Sequence, residues 1–125
     1  MEFSNGFKYF INYHSSLNTP TRVTLHKGNG KEIKVLEANE AVLANIKKYG
    51  LVKSEFLTIP NEAGDQMNAW MIKPADFDAS KAYPVLMYVY NGPGINTVND
   101  AWGGANYLWF QMLAQQGYID RKSTR

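Results

Sequence analysis

Along the first third of the chain, apolar positions recur at the two-residue spacing of half-buried strands. "KYFINYH" (8–14), "RVTLHK" (22–27) and "KEIKVLE" (31–37) are short, partly alternating, and rich in Val, Ile, Tyr and Phe. "GNG" (28–30) predicts a tight hairpin between the second and third runs, and "SSLNTP" (15–20) a looser turn before them. Three antiparallel strands make only a small sheet, so they read as part of a larger β array.

The period then changes. In "NEAVLANIKKYG" (39–50), Val42, Leu43, Ile46 and Tyr49 fall on one helical face. Asn39 is placed to cap this helix and Gly50 to stop it. Glu40 in the first turn and Lys47 and Lys48 in the last suit the helix dipole. The junction near Gly50 is the expected domain boundary.

Beyond it, "KSEFLTIPNEAGDQMNAWMIKP" (53–74) predicts a second hairpin around "NEAGD". In its second arm Met67, Ala69 and Met71 face one way, and Asn68, Trp70 and Ile72 the other. "ADFDASKAYP" (75–84) reads as a polar loop, and "VLMYVY" (85–90) as a strand covered on both faces. "NGPG" (91–94) breaks that strand at once, and a loop, "INTVNDAWGGAN" (95–106), follows. "YLWFQMLAQQ" (107–116) predicts a second helix, capped by Asn106 and stopped by Gly117. No internal repeat is visible.

Composition narrows the function classes. With 125 residues, 45% of them hydrophobic and 14% aromatic, the chain is of globular rather than disordered type. It has no cysteine, which removes disulfides and thiolate metal ligands and leaves the compartment open. No apolar run approaches the roughly 20 residues of a membrane-spanning helix, and "MEFSNGFKYF" has no signal-peptide pattern. The net charge of +2 comes from the last six residues, "DRKSTR"; the rest of the chain balances its bases against its acids. No basic stripe is interleaved with aromatics, so nucleic acid is not an expected partner.

Candidate chemistry is sparse. His14 and His26 both lie on predicted strands, where a histidine is usually a surface or hydrogen-bonded residue. None of the serines sits in a Gly-x-Ser-x-Gly elbow, so no hydrolytic triad can be assembled from this chain. The two histidines do not have metal-ligand spacing, and the glycine-rich stretches match neither a phosphate loop nor a dinucleotide fingerprint. Glu62, Asp65, Asp76 and Asp78 lie in predicted loops and read as solvated. No metal and no cofactor is expected.

Tyr90 stands apart. It ends the core strand and is followed by four turn-forming residues. A phenol is neutral near pH 7, with a reference pKa of about 10, and donates to an oxygen gaining negative charge. The end of a strand in an open α/β sheet is where ligands collect. The plainer alternative is that Tyr90 closes the strand and packs on Pro93.

"AYPVLMYVYNGPG", preceded by "MNAWMIKPADFD" and followed by "WGGANYLWFQMLAQQGYI", resembles the dipeptidyl peptidase IV branch of the prolyl oligopeptidase family of serine peptidases, its bacterial members above all. The resemblance runs over residues 8–119, with three segments in the family's order. "NYHSSLNTPTRVTLHKGNGKEIKVLEANE" is similar to the end of the family's β-propeller, and "EFLTIPNEAGDQMNAWMIKP" to the first hairpin of its α/β-hydrolase domain. The implied fold is therefore an α+β fragment: the end of a propeller blade, then the first strands and helix of a hydrolase domain. The implied divisions are 1–38 terminal propeller strands, 39–50 linker helix and 51–119 hydrolase start.

The resemblance also implies a function. Family members release N-terminal dipeptides with proline or alanine second, using a Ser-Asp-His triad, while acidic propeller residues hold the substrate amine. The family's oxyanion tyrosine, set in Tyr-x-Gly-Pro, matches Tyr90; Asn91 replaces the usual small residue after it. The triad positions lie outside this chain, so the segment alone is expected to be inactive. The resemblance points to an extracytoplasmic parent acting on peptides. The competing expectation is a non-catalytic α+β binding or self-assembly module, associating through exposed strand edges. After "GYI" the family continues with an apolar strand, whereas "DRKSTR" has no strand pattern. Residues 120–125 are accordingly expected to be a non-native tail, and "MEF" a cloning remnant.

Overall fold

The computed structural model describes residues 1–89, 97–104 and 106–123, with the backbone alone for 121–123. The chain divides into two compact units: 1–50 together with Asp100–Trp102, and 51–99 together with 103–125.

The first unit is a four-stranded antiparallel sheet in chain order, β1 (Glu2–Phe3), β2 (Tyr9–Ser16), β3 (Thr19–Lys27) and β4 (Glu32–Glu37). The alternating runs pair as their pattern predicts, with Phe10 opposite His26, Ile11 opposite Leu25 and Tyr13 opposite Val23. The "GNG" hairpin is closed by Gly30 N–H donating to Lys27 C=O at 2.8 Å and Lys27 N–H to Lys31 C=O at 2.9 Å. The turn before it is tighter than expected, because the strands run to Ser16 and from Thr19 and leave only Leu17 and Asn18 between them. Gly28 is required by close approach: its N–H donates to Lys8 C=O at 2.7 Å, and a Cβ there would collide with the Phe7 carbonyl oxygen.

Helix α1 (Glu40–Lys48) follows. Asn39 precedes it in a left-handed conformation (φ 53°, ψ 39°) and does not cap it through its side chain. Its amide instead donates to the Thr21 carbonyl, tying the helix entry to β3. None of the α1 residues is buried. The Val42/Leu43/Ile46/Tyr49 stripe is thus present in sequence but only partly covered among the described residues: Val42 and Ile46 are half-buried, and Tyr49 is 61% exposed.

The second unit holds the larger core. Its sheet has the order β5 (Ser54–Pro60), β6 (Gln66–Ile72), β8 (Ile119–Ser123), β7 (Val85–Val89). The β5–β6 hairpin turns through Asn61, whose Oδ1 accepts the Asp65 N–H at 2.8 Å while its Nδ2 donates to the Asp65 carboxylate at 2.9 Å. Helix α2 (Tyr107–Gln115) connects β7 to the parallel strand β8 and packs on β8 and β6. Ala69, Trp70, Ile72, Tyr107, Phe110 and Ala114 form the buried center. Trp70 meets Phe110 edge-on at 5.6 Å, a favoured aromatic geometry. Gly117 (φ 86°) ends α2 in the left-handed region that favours glycine.

Two expectations are corrected here. β7 is not covered on both faces: Val85, Met87 and Val89 alternate outward and are half exposed or more, because β7 lies at the sheet edge and α2 is the one helix packed on this sheet among the described residues. Residues 119–123, which show no strand pattern, form β8 in the interior of the sheet. Backbone pairing on both sides supplies what local propensity does not.

Candidate functional site

The sequence directs attention to the C-terminal end of β7. Val89 is the last residue of that strand, and its register with Ser123 of β8 is parallel. Tyr90, the candidate oxyanion donor, and Asn91–Pro93 after it lie outside the described residues. Leading into this point, Tyr88 turns its ring toward Phe110 at 5.7 Å, so the inward face of the strand is anchored on α2. The strand preceding Tyr90 is therefore held by a parallel neighbour on one side and an aromatic contact underneath.

The chain rejoins the described structure at Thr97. Val98 is buried, and Asp100 receives the Leu17 N–H on Oδ1 at 2.6 Å. Two residues on, the Trp102 N–H donates to Ser15 Oγ at 3.3 Å. Gly103 (φ 80°) and Gly104 (φ 102°) then turn the chain toward α2. Pattern reading missed the Leu17–Asp100 pair because its members stand 83 positions apart, and nothing in the local spacing of either signals the other.

The remaining polar candidates have structural partners. His26 stacks on Phe10 at 4.9 Å with the rings 9° from parallel. Its Nδ1 faces the Gly30 carbonyl at 2.9 Å, so that nitrogen carries the proton, and Nε2 lies 2.8 Å from Thr24 Oγ1. This histidine braces the β3–β4 hairpin. His14 sits opposite Arg22 on the exposed part of β2. Asp78 accepts the Ser80 N–H at 3.0 Å and the Ser80 hydroxyl at 2.8 Å, with Lys81 at 3.6 Å. These donors hold its carboxyl below the ordinary aspartate value. Arg22 forms a two-pronged pair with Glu32, both contacts at 2.9 Å, which lowers the Glu32 pKa. Burial pushes the Tyr107 phenol upward, against a hydrogen bond from Gln111 that lowers it. Among the described residues no group of three or more His, Asp or Glu side chains is arranged to hold a metal.

The chain as a whole is similar to known peptidases. No family model matches the chain. The probable dipeptidyl peptidase 4 of Trichophyton verrucosum is 32% identical over 106 residues, 84% of this chain and 14% of its own length. Dipeptidyl-peptidase 5 of Porphyromonas endodontalis is 34% identical over 108 residues, 83% of this chain and 14% of its own length. The crystal structure of Porphyromonas gingivalis dipeptidyl peptidase 4 superimposes with a TM-score of 0.89 at 37% identity, over 98% of this chain and 17% of that one. A dipeptidyl aminopeptidase IV of Bacteroides ovatus, described as putative, gives 0.81 at 29% identity over the same shares. The chain thus spans about one seventh of the length of the curated relatives it matches.

Proposed function

We propose, from the premise that this chain is a fragment of a dipeptidyl peptidase IV-like protein, that the longer protein releases N-terminal Xaa-Pro and Xaa-Ala dipeptides as a serine peptidase. In that reaction Tyr90 donates its phenolic hydrogen to the oxyanion formed when the nucleophile attacks the substrate carbonyl. The observation that carries the reading is the match of nearly the whole chain to a bacterial dipeptidyl peptidase 4. A second support is local: Tyr90-Asn91-Gly92-Pro93 directly follows β7, a strand with a parallel neighbour reached through a helix. In open α/β sheets, ligands gather at that end of such strands.

The finer division of the fold belongs to the same proposal. Residues 1–38 are the last propeller strands, 39–50 a linker helix and 51–119 the opening of the hydrolase domain.

The test is a Gly-Pro chromogenic substrate. The longer protein is expected to turn it over, and Tyr90→Phe to lower kcat by about 10²–10³ with a smaller change in KM. The 125-residue chain alone is expected to give no turnover above background, because it holds no Gly-x-Ser-x-Gly nucleophile elbow. A Tyr90→Phe protein with undiminished kcat overturns the oxyanion role.

A second reading has its own observation. The outer side of β7 pairs with no strand among the described residues, and Val85, Met87 and Val89 are exposed along it. A non-catalytic module would use this edge to add a second copy of the chain. The isolated fragment is expected to associate in this way under either reading.

A further inference from the structure

Two Asn-Gly pairs lie among the described residues, Asn5-Gly6 and Asn29-Gly30. An asparagine in this setting is open to attack by its own main chain. The glycine after it has no Cβ, so its backbone nitrogen reaches the asparagine side-chain carbonyl without hindrance. Both pairs are exposed, so access to water does not separate them. The glycine N–H does.

Gly30 closes the β3–β4 hairpin. Its N–H donates to Lys27 C=O at 2.8 Å, and its C=O accepts the His26 Nδ1 proton at 2.9 Å. The neighbouring side chain is held as well, since Asn29 Oδ1 accepts the Lys31 N–H at 3.1 Å. Gly6 is the second residue of a three-residue 3-10 turn, Asn5–Phe7, between β1 and β2. An N–H so early in a helical turn has no intrahelical acceptor. The bonds that close the turn are made by its neighbours: Phe7 N–H to Ser4 C=O at 3.0 Å, Ser4 N–H to Tyr9 C=O at 2.9 Å, and Tyr9 N–H to Ser4 Oγ at 3.0 Å. Among the described residues no acceptor meets the Gly6 N–H.

We infer that Asn5 is a site of spontaneous deamidation, and that the closed hairpin protects Asn29 from the same reaction. Hydroxide removes the Gly6 amide proton, and the nitrogen attacks Asn5 Cγ. The new N–Cγ bond forms, the Cγ–Nδ2 bond breaks, and the side-chain nitrogen leaves as ammonia. Water then opens the cyclic imide at one carbonyl or the other, leaving aspartate or isoaspartate at position 5, with nothing oxidised or reduced. The first step is also the step of amide hydrogen exchange. A hydrogen bond that slows exchange at Gly30 therefore slows deamidation at Asn29, which must wait for the hairpin to open. The reaction is independent of the peptidase reading.

The test incubates the 125-residue chain in mildly alkaline buffer, folded and in concentrated guanidinium chloride. Peptide mass spectrometry follows conversion at each asparagine, and hydrogen exchange is read at the Gly6 and Gly30 amides. In the folded chain Asn5 is expected to convert faster than Asn29 by about tenfold or more, with the two amides exchanging in the same order. In denaturant the two sites are expected to convert at similar rates, because both precede glycine. Asn5→Gln, whose longer side chain has to close a larger ring, is expected to remove conversion at position 5 and leave Asn29 unchanged. Equal folded rates, or a faster Asn29, overturn the inference. So does an Asn5 that stays intact in the folded chain while the denatured chain converts. A difference that persists in denaturant assigns the order to local sequence and defeats the protective role of the hairpin, and conversion that continues at position 5 in Asn5→Gln defeats the proposed ring closure.

Discussion

Gln111 shows how one side chain can replace a strand neighbour. Its Oε1 accepts the Val52 N–H at 2.9 Å and its Nε2 donates to the Val52 carbonyl at 2.8 Å, so both backbone groups of Val52 are satisfied by one amide. The amide is almost wholly buried, at 1% exposure. Gln111→Leu keeps the volume but leaves a donor and an acceptor of Val52 without partners. The expected loss is about 1–3 kcal/mol, seen as a lower urea midpoint with an unchanged slope. Asp78 makes the complementary case at the surface. Hydrogen bonds from Ser80 stabilise its charged form, so its folded pKa lies below the unfolded one. Its contribution is complete above the unfolded value and is lost as the pH falls through the folded value. An NMR titration is expected to find Asp78 ionised at a pH where Ser80→Ala leaves it partly protonated.

At the scale of elements, legibility followed the range of the interactions. Both helices were readable because period, cap position and stop residue lie within a dozen neighbouring positions; α1 and α2 start one residue after Asn39 and Asn106. The caps themselves were not readable: neither asparagine bonds its own helix through its side chain, and the Asn39 amide is drawn to Thr21 instead. β8 was invisible because "DRKS" has no strand character, and its place depends on β6 and β7, which are far away in sequence. The apolar run of β7 was visible, but its cover was misjudged, since a run of Val, Leu and Met records what a strand prefers and not what this chain supplies. Tyr90 was picked out by its place before "NGPG", whereas Asp100 had no local signature at all. Gly28 tests the local end of this argument. Its Cβ-free backbone admits the Phe7 carbonyl, so Gly28→Ala is expected to cost about 1–3 kcal/mol by overpacking. Faster hydrogen exchange in the β2–β3 ladder, with the β5–β6 ladder unaffected, is the measurement.

For the whole molecule, the decisive quantity is apolar surface left uncovered within each unit. In the first, β4 is exposed along its entire length, including Ile33 and Leu36, each 46% exposed. In the second, Met87 is 53% exposed at the middle of the β7 edge. An edge strand with free backbone groups and an apolar outer stripe is a template for another strand. Association through β7 joins two such edges by backbone pairing and sets the two stripes side by side on one face, whereas a solvated edge gains neither. Light scattering is therefore expected to give a mass above that of the 14.1 kDa monomer, rising with concentration. Met87→Lys places a charge in the middle of the stripe without touching the buried center on the other face. It is expected to weaken the association, because pairing the two edges brings the lysines of both copies near one another on the same face. A monodisperse monomer at high concentration, unchanged by Met87→Lys, would mean that the β7 edge does not recruit a second copy.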